Sequence, residues 1–410
     1  MSIPTIEDED RVISADFNDA ATISTLIEKV SVGAFERERD EVAPFEAIEL
    51  VRDARLGAFR LPRALGGYDG SLRDLLDVVI RLAEADPNVA HILRAHFTFV
   101  ESQFFSLNHV ERQRWFHEVG RGKIFGSATT EIGTGTTGGL NTSRFHTRLT
   151  PQGAHFILQG KKYYSTGSLY SDWVAVTALS PDDEIVNVIL PVDRDGVRLL
   201  DDWDGIGQRQ TASGTSYFDS VVVHHDEIVT RDRRLELGTY TTTFAQLYLT
   251  AIIAGICRAI ARDAVELVRH RGRTFSHATN ESPVQDPLLQ QVVGQLASNA
   301  FAADAIVTRA ADALDAVARS VVDGKADAAL ALEATLAAAK AKVVVDEITL
   351  RSGTLLFDVG GGSATKSSAN LDRHWRNART IASHNPDLYK NLALGNHLIN
   401  GAPLPTSNLF

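Results

Sequence analysis

Between residues 143 and 231 the sequence contains four short runs, Phe156-Ile-Leu158, Trp173-Val-Ala-Val-Thr177, Ile185-Val-Asn-Val-Ile-Leu190 and Tyr217-Phe-Asp-Ser-Val-Val-Val223. Each run is rich in β-branched and aromatic residues, and turns that contain glycine separate one run from the next, which is typical of β-strands. No helical pattern lies between them. The runs therefore predict a small antiparallel β-barrel or sandwich, and this stretch decides the fold class.

Helical patterns flank this stretch on both sides. Residues 20 to about 120 carry apolar side chains at the i, i+3, i+4 spacing of helices, for example at Leu72, Leu75, Leu76, Val79 and Leu82. After the β-rich stretch the sequence predicts long alanine-rich helices, and alanine at the contacts lets such helices pack closely, as in a four-helix bundle. Their predicted spans are 241–271, 287–322 and 325–352.

This order of elements indicates an α+β fold with three domains. A chain of 410 residues is long enough for two or three of them. We predict an N-terminal helical domain at residues 1–121, a central β domain at 122–232 and a C-terminal helical bundle at 233–410.

The composition excludes several classes of protein. The net charge of −11 argues against nucleic acid or an anionic membrane as the main partner, since both require basic surface. The single cysteine, Cys257, excludes an internal disulfide framework and a CxxC metal or redox site. The N-terminus is acidic and lacks the order of a signal peptide, and no apolar run approaches the ~20 residues that span a bilayer. We therefore expect a cytoplasmic, soluble protein.

The stretch Arg373-His-Trp-Arg-Asn-Ala-Arg379 predicts a helix that carries three arginines at three-residue spacing. The helix should end near His384, because Pro386 disfavours helical conformation at the residue before it. A histidine at such a break, beside several arginines, suits a group that handles protons next to an anionic ligand. The alternative is a solvated histidine at the end of a surface helix.

Two further histidines, His91 and His96, lie five residues apart in a helical segment. Their side chains diverge by roughly 140° around the helix, so they do not form the i, i+4 pair of a metal site. Each is by default a core or surface histidine. We predict no metal site.

Two loops have compositions that suit a ligand. The run Gly126–Gly139 contains five glycines and five threonines, and its amides and hydroxyls suit contact with a ring carbonyl or a phosphate, or a gating role. It lacks the ending of a Walker loop, and a flexible hairpin is the alternative. The second loop, Gly205–Thr215, carries Arg209 and several small hydroxyl residues.

The order of helices, β insert and helical bundle, taken with these loops, resembles the acyl-CoA dehydrogenase superfamily over nearly the whole chain. Its flavin loop is similar to Thr130-Glu-Ile-Gly133, and its Gly-x-Lys strand is similar to Gly160-Lys-Lys-Tyr-Tyr-Ser-Thr166. Its Gly-x-Arg loop is similar to Gly207-Gln-Arg209. The element Arg273-Thr-Phe275 resembles one that meets flavin phosphate across a subunit boundary in the family.

One departure separates this chain from the common dehydrogenases, which need a carboxylate base above the flavin. In the commonest branch that base follows the helix that Arg373–Arg379 resembles. Here the place is taken by Ile381-Ala-Ser-His-Asn-Pro386, with no Glu or Asp before Asp387. Some dehydrogenases carry the base elsewhere, so an FAD-dependent acyl-CoA dehydrogenase or oxidase stays the alternative function. A flavin-free scaffold is a third hypothesis.

Two-component flavin monooxygenases of the dibenzothiophene monooxygenase type resemble the chain more closely. The resemblance lies in Trp203–Gly214, in Trp375-Arg-Asn377, in His384 before Asn-Pro and in Gly395–Gly401. It implies that reduced FMN, supplied by a separate NAD(P)H flavin reductase, reacts with O₂ through a C4a-(hydro)peroxyflavin. A small organic substrate is then oxygenated at sulfur, nitrogen or an aromatic carbon. The resemblance also implies a homotetramer, and FAD stays possible as the cofactor.

The resemblance also implies roles for particular residues. His384 and His96 would face the reactive edge of the flavin, and Thr166 would lie near its N5 atom. Cofactor binding would involve Thr129, Thr130, Thr166, Arg273, Phe275 and Ser363, and Ser363 stands where the relatives have a phosphate-binding arginine. The substrate or a lid would involve His91, Glu131, Gly133, Gly135 and Arg209.

Overall fold

The computed structural model describes residues 19–132, 145–230, 234–406 and 410. Its first part is helical, and α4 begins with a capping box in which Ser71 and Asp74 bond each other's backbone amides. The helices are α1 (Asp19–Ser31), α2 (Ala34–Asp40), α3 (Phe45–Asp53), α4 (Leu72–Ala85), α5 (Pro87–Ile92), α6 (Arg94–Phe104) and α7 (His109–Gly120).

The middle part forms one sheet, as the β-rich runs predict. Its strands are β1 (Phe125–Ala128), β2 (Arg148–Gln152), β3 (His155–Lys162), β4 (Trp173–Leu179), β5 (Ile185–Pro191), β6 (Val197–Leu199), β7 (Ser216–Val223) and β8 (Ile228–Thr230). Within the described residues their order is β6-β7-β3-β2-β4-β5-β8, with β1 beside β4.

The expectation of a purely antiparallel sheet is wrong at two places. Strand β1 runs parallel to β4, and β2 meets β4 in parallel at one residue pair. The rings of Phe125 in β1 and Trp173 in β4 lie 5.7 and 5.4 Å from the ring of Trp115 in α7. Because both strands begin at this one aromatic cluster, they leave it in the same direction.

The last part contains α8 (Tyr240–Arg269), α9 (Pro287–Ser320), α10 (Ala328–Gly360), α11 (Asp372–Ala382) and α12 (Asp387–Asn400). The first three match the predicted long helices to within a few residues, except that α10 extends further. They pack on one another, while α4 lies along α8 and α9, and α11 crosses α8 and α10. Among the described residues α8 alone is long and apolar enough to cross a membrane, but 83% of its most apolar window is buried, as in a core helix.

One apolar core is continuous from the N-terminal helices into the long helices, and it joins Leu75 of α4 to Leu247 of α8. A second core fills the sheet. The aromatic cluster at Trp115 joins α6 and α7 to the sheet. These packed contacts bring the end of α5, the loop after β6 and the break between α11 and α12 to one region.

Candidate active site

The break between α11 and α12 carries His384, as the sequence predicts. Its side chain is accessible to solvent, yet protein surrounds it densely, and this burial lowers its pKa well below the ordinary value. The charges of Arg94, His91, Lys342 and Lys390 lower the pKa further. His384 is therefore a neutral imidazole at neutral pH, and it is open to solvent.

His91, near the end of α5, lies within electrostatic range of His384. Its Nδ1 is 3.0 Å from Oε1 of Gln208, and an amide oxygen only accepts, so Nδ1 carries the proton. Burial, followed by the charge of Arg94, lowers the pKa of His91 to about 3. The neutral ring therefore keeps a lone pair on Nε2.

A chain of hydroxyl groups joins this histidine pair to the sheet. Thr166 Oγ1 lies 2.8 Å from Ser213 Oγ, which lies 2.7 Å from Thr211 Oγ1. The Thr211 hydroxyl donates to the carbonyl oxygen of Gln208 at 2.7 Å. Thr166, which the resemblance places near flavin N5, is thus connected to the residue that orients His91.

The loop that presents Gln208 is fixed by its close approach to α11. A Cβ atom at Gly207 would lie 2.2 Å from the carbonyl oxygen of Arg376, so only glycine fits there. The amide of Gln208 donates to Asn377 Oδ1 at 2.5 Å. Gln208 itself adopts the left-handed region with φ of 54°. The Trp-Arg-Asn sequence of α11 therefore positions this loop.

Two of the three arginines of α11, Arg373 and Arg376, bond carboxylates of the protein itself. Arg373 is paired with Asp263, and Arg376 bonds Asp372 at 2.8 Å and Glu38 at 3.3 Å. These carboxylates neutralise the charges that the sequence suggested for an anion. The helix is therefore a scaffold for the site.

The structure places His91, and not His96, beside His384. His96 is fully buried, its Nε2 donates to the carbonyl oxygen of Gly57 at 2.9 Å, and its Nδ1 accepts from the amide of Phe125 at 3.1 Å. Both ring nitrogens are thus engaged by backbone, and none is left for a ligand. His96 joins the turn after α3 to β1, and its expected role at the flavin stays a prediction.

Glu131 and Arg209, which are expected to contact the substrate or form a lid, are bonded to other residues of the protein. Glu131 is buried and accepts from the amides of His146 and Thr147 and from Lys162 Nζ, the last at 2.8 Å. Arg209 is paired with Glu41. Neither side chain lies in the histidine cluster by these contacts. Gly133 and Gly135 lie outside the described residues.

The expected flavin residues of the sheet share one edge. Thr129 Oγ1 lies 3.2 Å from Ser127 Oγ, Thr130 is exposed, and the amide of Tyr163 bonds the Thr130 carbonyl oxygen. Thr166 is half-buried. Next to it, Ser165 Oγ is buried and has no hydrogen-bond partner within the described residues. An edge with accessible hydroxyls and one unused hydroxyl fits the polar rim of a flavin ring.

The expected phosphate residues lie at the far end of α8. Arg271 donates to the Val359 carbonyl oxygen at 2.8 Å and holds its loop against the turn after α10. Arg273, Phe275 and Ser363 are all exposed there. The Arg94 guanidinium bonds Ala245 near the start of α8, and from Ala245 to Arg269 a helix rises about 36 Å. Within one chain, the expected phosphate residues therefore lie much further from the Arg94 end of α8 than an FMN molecule reaches.

Another cleft, of roughly 380 Å³, lies between α2, α4 and α11. Its charged lining residues pair with one another, as in Arg37 with Asp86 at 2.8 Å. His384 and His91 do not line it. This cleft therefore does not belong to the histidine cluster.

Sequence reasoning missed Arg94 and Gln208. The signal for Arg94 is a single arginine within the apolar segment Val89–Phe99, where a charge is unexpected. Gln208 stood inside the quoted polar loop, but nothing in its spacing distinguished it from Arg209.

Comparison with protein families gives two matches in chain order. Residues 126–221 match the acyl-CoA dehydrogenase middle domain, and residues 247–386 match the acyl-CoA dehydrogenase C-terminal domain. The two matches cover most of the sheet and most of the helices that follow it.

Curated relatives extend the match over almost the full length. A probable FMNH₂-dependent monooxygenase of Pseudomonas putida is 28% identical over 90% of this chain and 91% of its own. A dibenzothiophene monooxygenase of Rhodococcus erythropolis is 27% identical over 96% of both chains.

Solved structures agree with the sequence relatives. The methanesulfinate monooxygenase MsuC of Pseudomonas fluorescens superposes with a TM-score of 0.86 at 25% identity, covering 96% of this chain and all of its own. TdsC of Paenibacillus sp. A11-2, in complex with FMN and indole, gives the same TM-score and identity over 95% and 98% of the two chains.

Proposed function

This chain is a flavin-dependent monooxygenase of the acyl-CoA dehydrogenase superfamily, and we propose that it oxygenates a small organic substrate with His384 and His91 as its proton-handling pair. The observation that carries the proposal is a solvent-accessible His384 set beside His91 and Arg94. No carboxylate is among the strongest electrostatic influences on His384. A dehydrogenase would need a carboxylate base at such a place.

The cofactor is FMN, which in its reduced form supplies the two electrons that activate O₂. Thr129, Thr130 and Thr166 would bind the ring along the sheet edge. Arg273 and Ser363 would hold the phosphate, and Phe275 would cover it.

The histidines would control protons at the oxygen atoms. One oxygen atom of O₂ goes to the substrate and the other leaves as water, so a proton must reach the leaving oxygen. His384 is the accessible imidazole and would relay that proton, taking one from solvent at its free ring nitrogen as it passes its N–H proton to the leaving oxygen. His91, whose Nδ1–H is held by Gln208, would exchange a proton with His384 through Nε2.

The residues expected to bind the flavin ring and those expected to bind its phosphate lie far apart within one chain, and this separation supports association of several copies of the chain. Arg273 follows the end of α8, whereas Thr166 is linked through Gln208 and His91 to the region near the start of that helix. A complete site would therefore need the phosphate residues of a second copy. α12 carries exposed apolar side chains that suit burial between copies: Leu388, Tyr389, Leu392, Leu398 and Ile399. We propose a homotetramer, as the family resemblance implies.

The same proposal includes a reductase partner, a location in the cell and the domain boundaries. A separate NAD(P)H flavin reductase would supply the reduced FMN, since the sequence contains no recognisable nicotinamide site. The protein would act in the cytoplasm. Its three domains would divide at residues 121/122 and 232/233.

The test uses the protein loaded with reduced FMN and mixed with ¹⁸O₂. Indole, dibenzothiophene and methanesulfinate are the probes, and mass spectrometry measures whether one ¹⁸O atom enters the product. His384→Ala should lower oxygenation by a factor on the order of 10² or more with FMN binding retained. The matched control is His117→Ala, an exposed histidine of α7 that should leave oxygenation unchanged. Reduction of the flavin by an acyl-CoA, without oxygenation of any probe, would contradict the function.

A further inference from the structure

We propose that the substrate is a small organic anion, a carboxylate or sulfinate whose acidic oxygens are bound by Arg94 and Gln208 beside His384. This inference rests on the proposed monooxygenase function and narrows its substrate class. It also assigns a binding role to two residues that sequence reasoning did not select.

Arg94 is a half-buried arginine without a counter-charge. Its Nε donates to the Ala245 carbonyl oxygen at 3.0 Å, and among the described residues this is the single hydrogen bond of its side chain. No described carboxylate lies within ion-pair distance of it. The two terminal nitrogens, which form the fork that grips carboxylates, are therefore available to a ligand.

Arg60 and Arg194, two other arginines with little exposure, each have the carboxylate partner that Arg94 lacks. Arg60 bonds the buried carboxylate of Glu101 at 2.7 Å, and Arg194 grips Glu227 with two bonds of 2.6 Å. A guanidinium removed from water without such a partner is costly. Arg94 has no such partner among the described residues and lies at the candidate active site, where a ligand would supply the missing anion.

Gln208 provides a second, independent observation. Its side chain is 1% exposed, and Nε2 has no hydrogen-bond partner within the described residues. Oε1 of the same amide accepts a hydrogen bond from His91. Nε2 is therefore held in place as a donor that has no acceptor among the described residues. The unused amide donor is bonded to His91 through its oxygen, and the unpaired guanidinium acts on the same histidine by its charge. Together they match a ligand with several acceptor oxygens.

The other charges near His384 largely neutralise one another. Lys342 bonds Asp346 and lies 3.4 Å from Asp387, and Lys390 is placed against the ring of Phe410. Burial lowers the pKa of Arg94 to about 10, so it remains charged at neutral pH. A single anionic ligand would balance this charge.

A sulfinate would satisfy both the binding and the chemistry. Its sulfur lone pair takes one oxygen atom from O₂ and the sulfinate becomes a sulfonate, a two-electron oxidation. Reduced FMN provides two electrons and two protons, which convert the second oxygen atom to water and leave oxidised FMN. A carboxylate would serve only as the anchor, with a thioether sulfur in the same molecule as the atom oxygenated.

The experiment compares an acid with its amide of equal size, which differ in charge, and adds a slightly smaller sulfinate. Calorimetry measures binding of 3-(methylthio)propionate, its neutral amide 3-(methylthio)propionamide, and propane-1-sulfinate to the FMN-loaded protein. We expect the two anions to bind more tightly than the amide by roughly tenfold to a hundredfold, the range of a charge-assisted hydrogen bond. Equal affinity of acid and amide would overturn the proposal without any variant.

Variants then assign the preference to Arg94. Arg94→Gln should abolish it, and Arg94→Lys should retain part of it, since the charge survives without the fork. The matched control is Arg309→Gln on the exposed face of α9, which should keep the full preference. A preference that persists in Arg94→Gln would overturn the assignment.

The outcomes also separate this inference from the monooxygenase function. If Arg94→Gln loses affinity for FMN and wild type shows no anion preference, Arg94 binds the flavin phosphate and the inference fails. If anions bind preferentially through Arg94 but no probe gains ¹⁸O, the anion site stands and the proposed function fails. If amide and acid are oxygenated equally well and bind equally, the function stands and the inference fails.

Discussion

His91 and His96 lie on neighbouring helices, both are almost completely buried, and burial lowers the pKa of both. Their partners differ. His96 bonds two backbone groups, Gly57 and Phe125, and so joins two segments of the fold. His91 bonds the side chain of Gln208 and lies within range of His384 and Arg94. Burial and a shifted pKa therefore do not identify a functional histidine here.

What distinguishes the two histidines is whether a ring nitrogen remains for a ligand. The Nε2 atom of His91 has no partner among the described residues, and its neighbours can move protons or bind anions. Both ring nitrogens of His96 are hydrogen-bonded to backbone groups, which do not ionise. The difference predicts that one histidine supports stability and the other supports chemistry.

The largest effect is expected for the structural histidine. His96→Ala leaves the Gly57 carbonyl and the Phe125 amide without partners in a buried region and creates a cavity. We expect the free energy of unfolding to fall by about 3 kcal/mol. Urea unfolding followed by circular dichroism measures it. A loss below about 1 kcal/mol, the size of one replaceable hydrogen bond, would mean that water substitutes for the imidazole and that His96 is not a clamp.

His91→Ala should reverse the pattern. We expect coupled ¹⁸O incorporation to fall on the order of 10²-fold, equivalent to roughly 2.7 kcal/mol, because a group that exchanges protons with His384 is lost. The free energy of unfolding should fall by only about 1–2 kcal/mol, since a single side-chain partner is left unpaired. His91→Gln, which retains a polar side chain of similar reach, controls for the loss of packing. Normal oxygenation by both variants would remove His91 from the proton-handling pair.

The sequence predicted the larger features because these depend on repeated patterns. The helix periods located α8, α9 and α10, the β-rich runs located the sheet, and Pro386 located the break that exposes His384. It could not distinguish His91 from His96, because that distinction depends on contacts with Gly57 and Gln208 far away in the chain. The pairing of Arg209 with Glu41 is likewise a tertiary contact that no local spacing encodes.

The smallest effect concerns what the two histidines share. Burial lowers the pKa of His96 to about 4 and that of His91 to about 3, below the value near 6.5 of an unfolded chain. Below about pH 6.5 the unfolded chain therefore binds protons that the native rings do not, so stability is lost as the pH falls. Each histidine should contribute a slope of up to about 1.4 kcal/mol per pH unit between roughly pH 6 and pH 5.

Urea unfolding at several pH values in that window measures the slope for wild type, His91→Gln and His96→Gln. Both variants should flatten the curve by a similar amount, because each removes one group that charges only on unfolding. If His96→Gln flattens it and His91→Gln does not, native His91 accepts a proton without unfolding. His91 would then differ from His96 in its access to solvent near His384, because a ring bonded on both nitrogens to backbone cannot be charged while the fold stays intact.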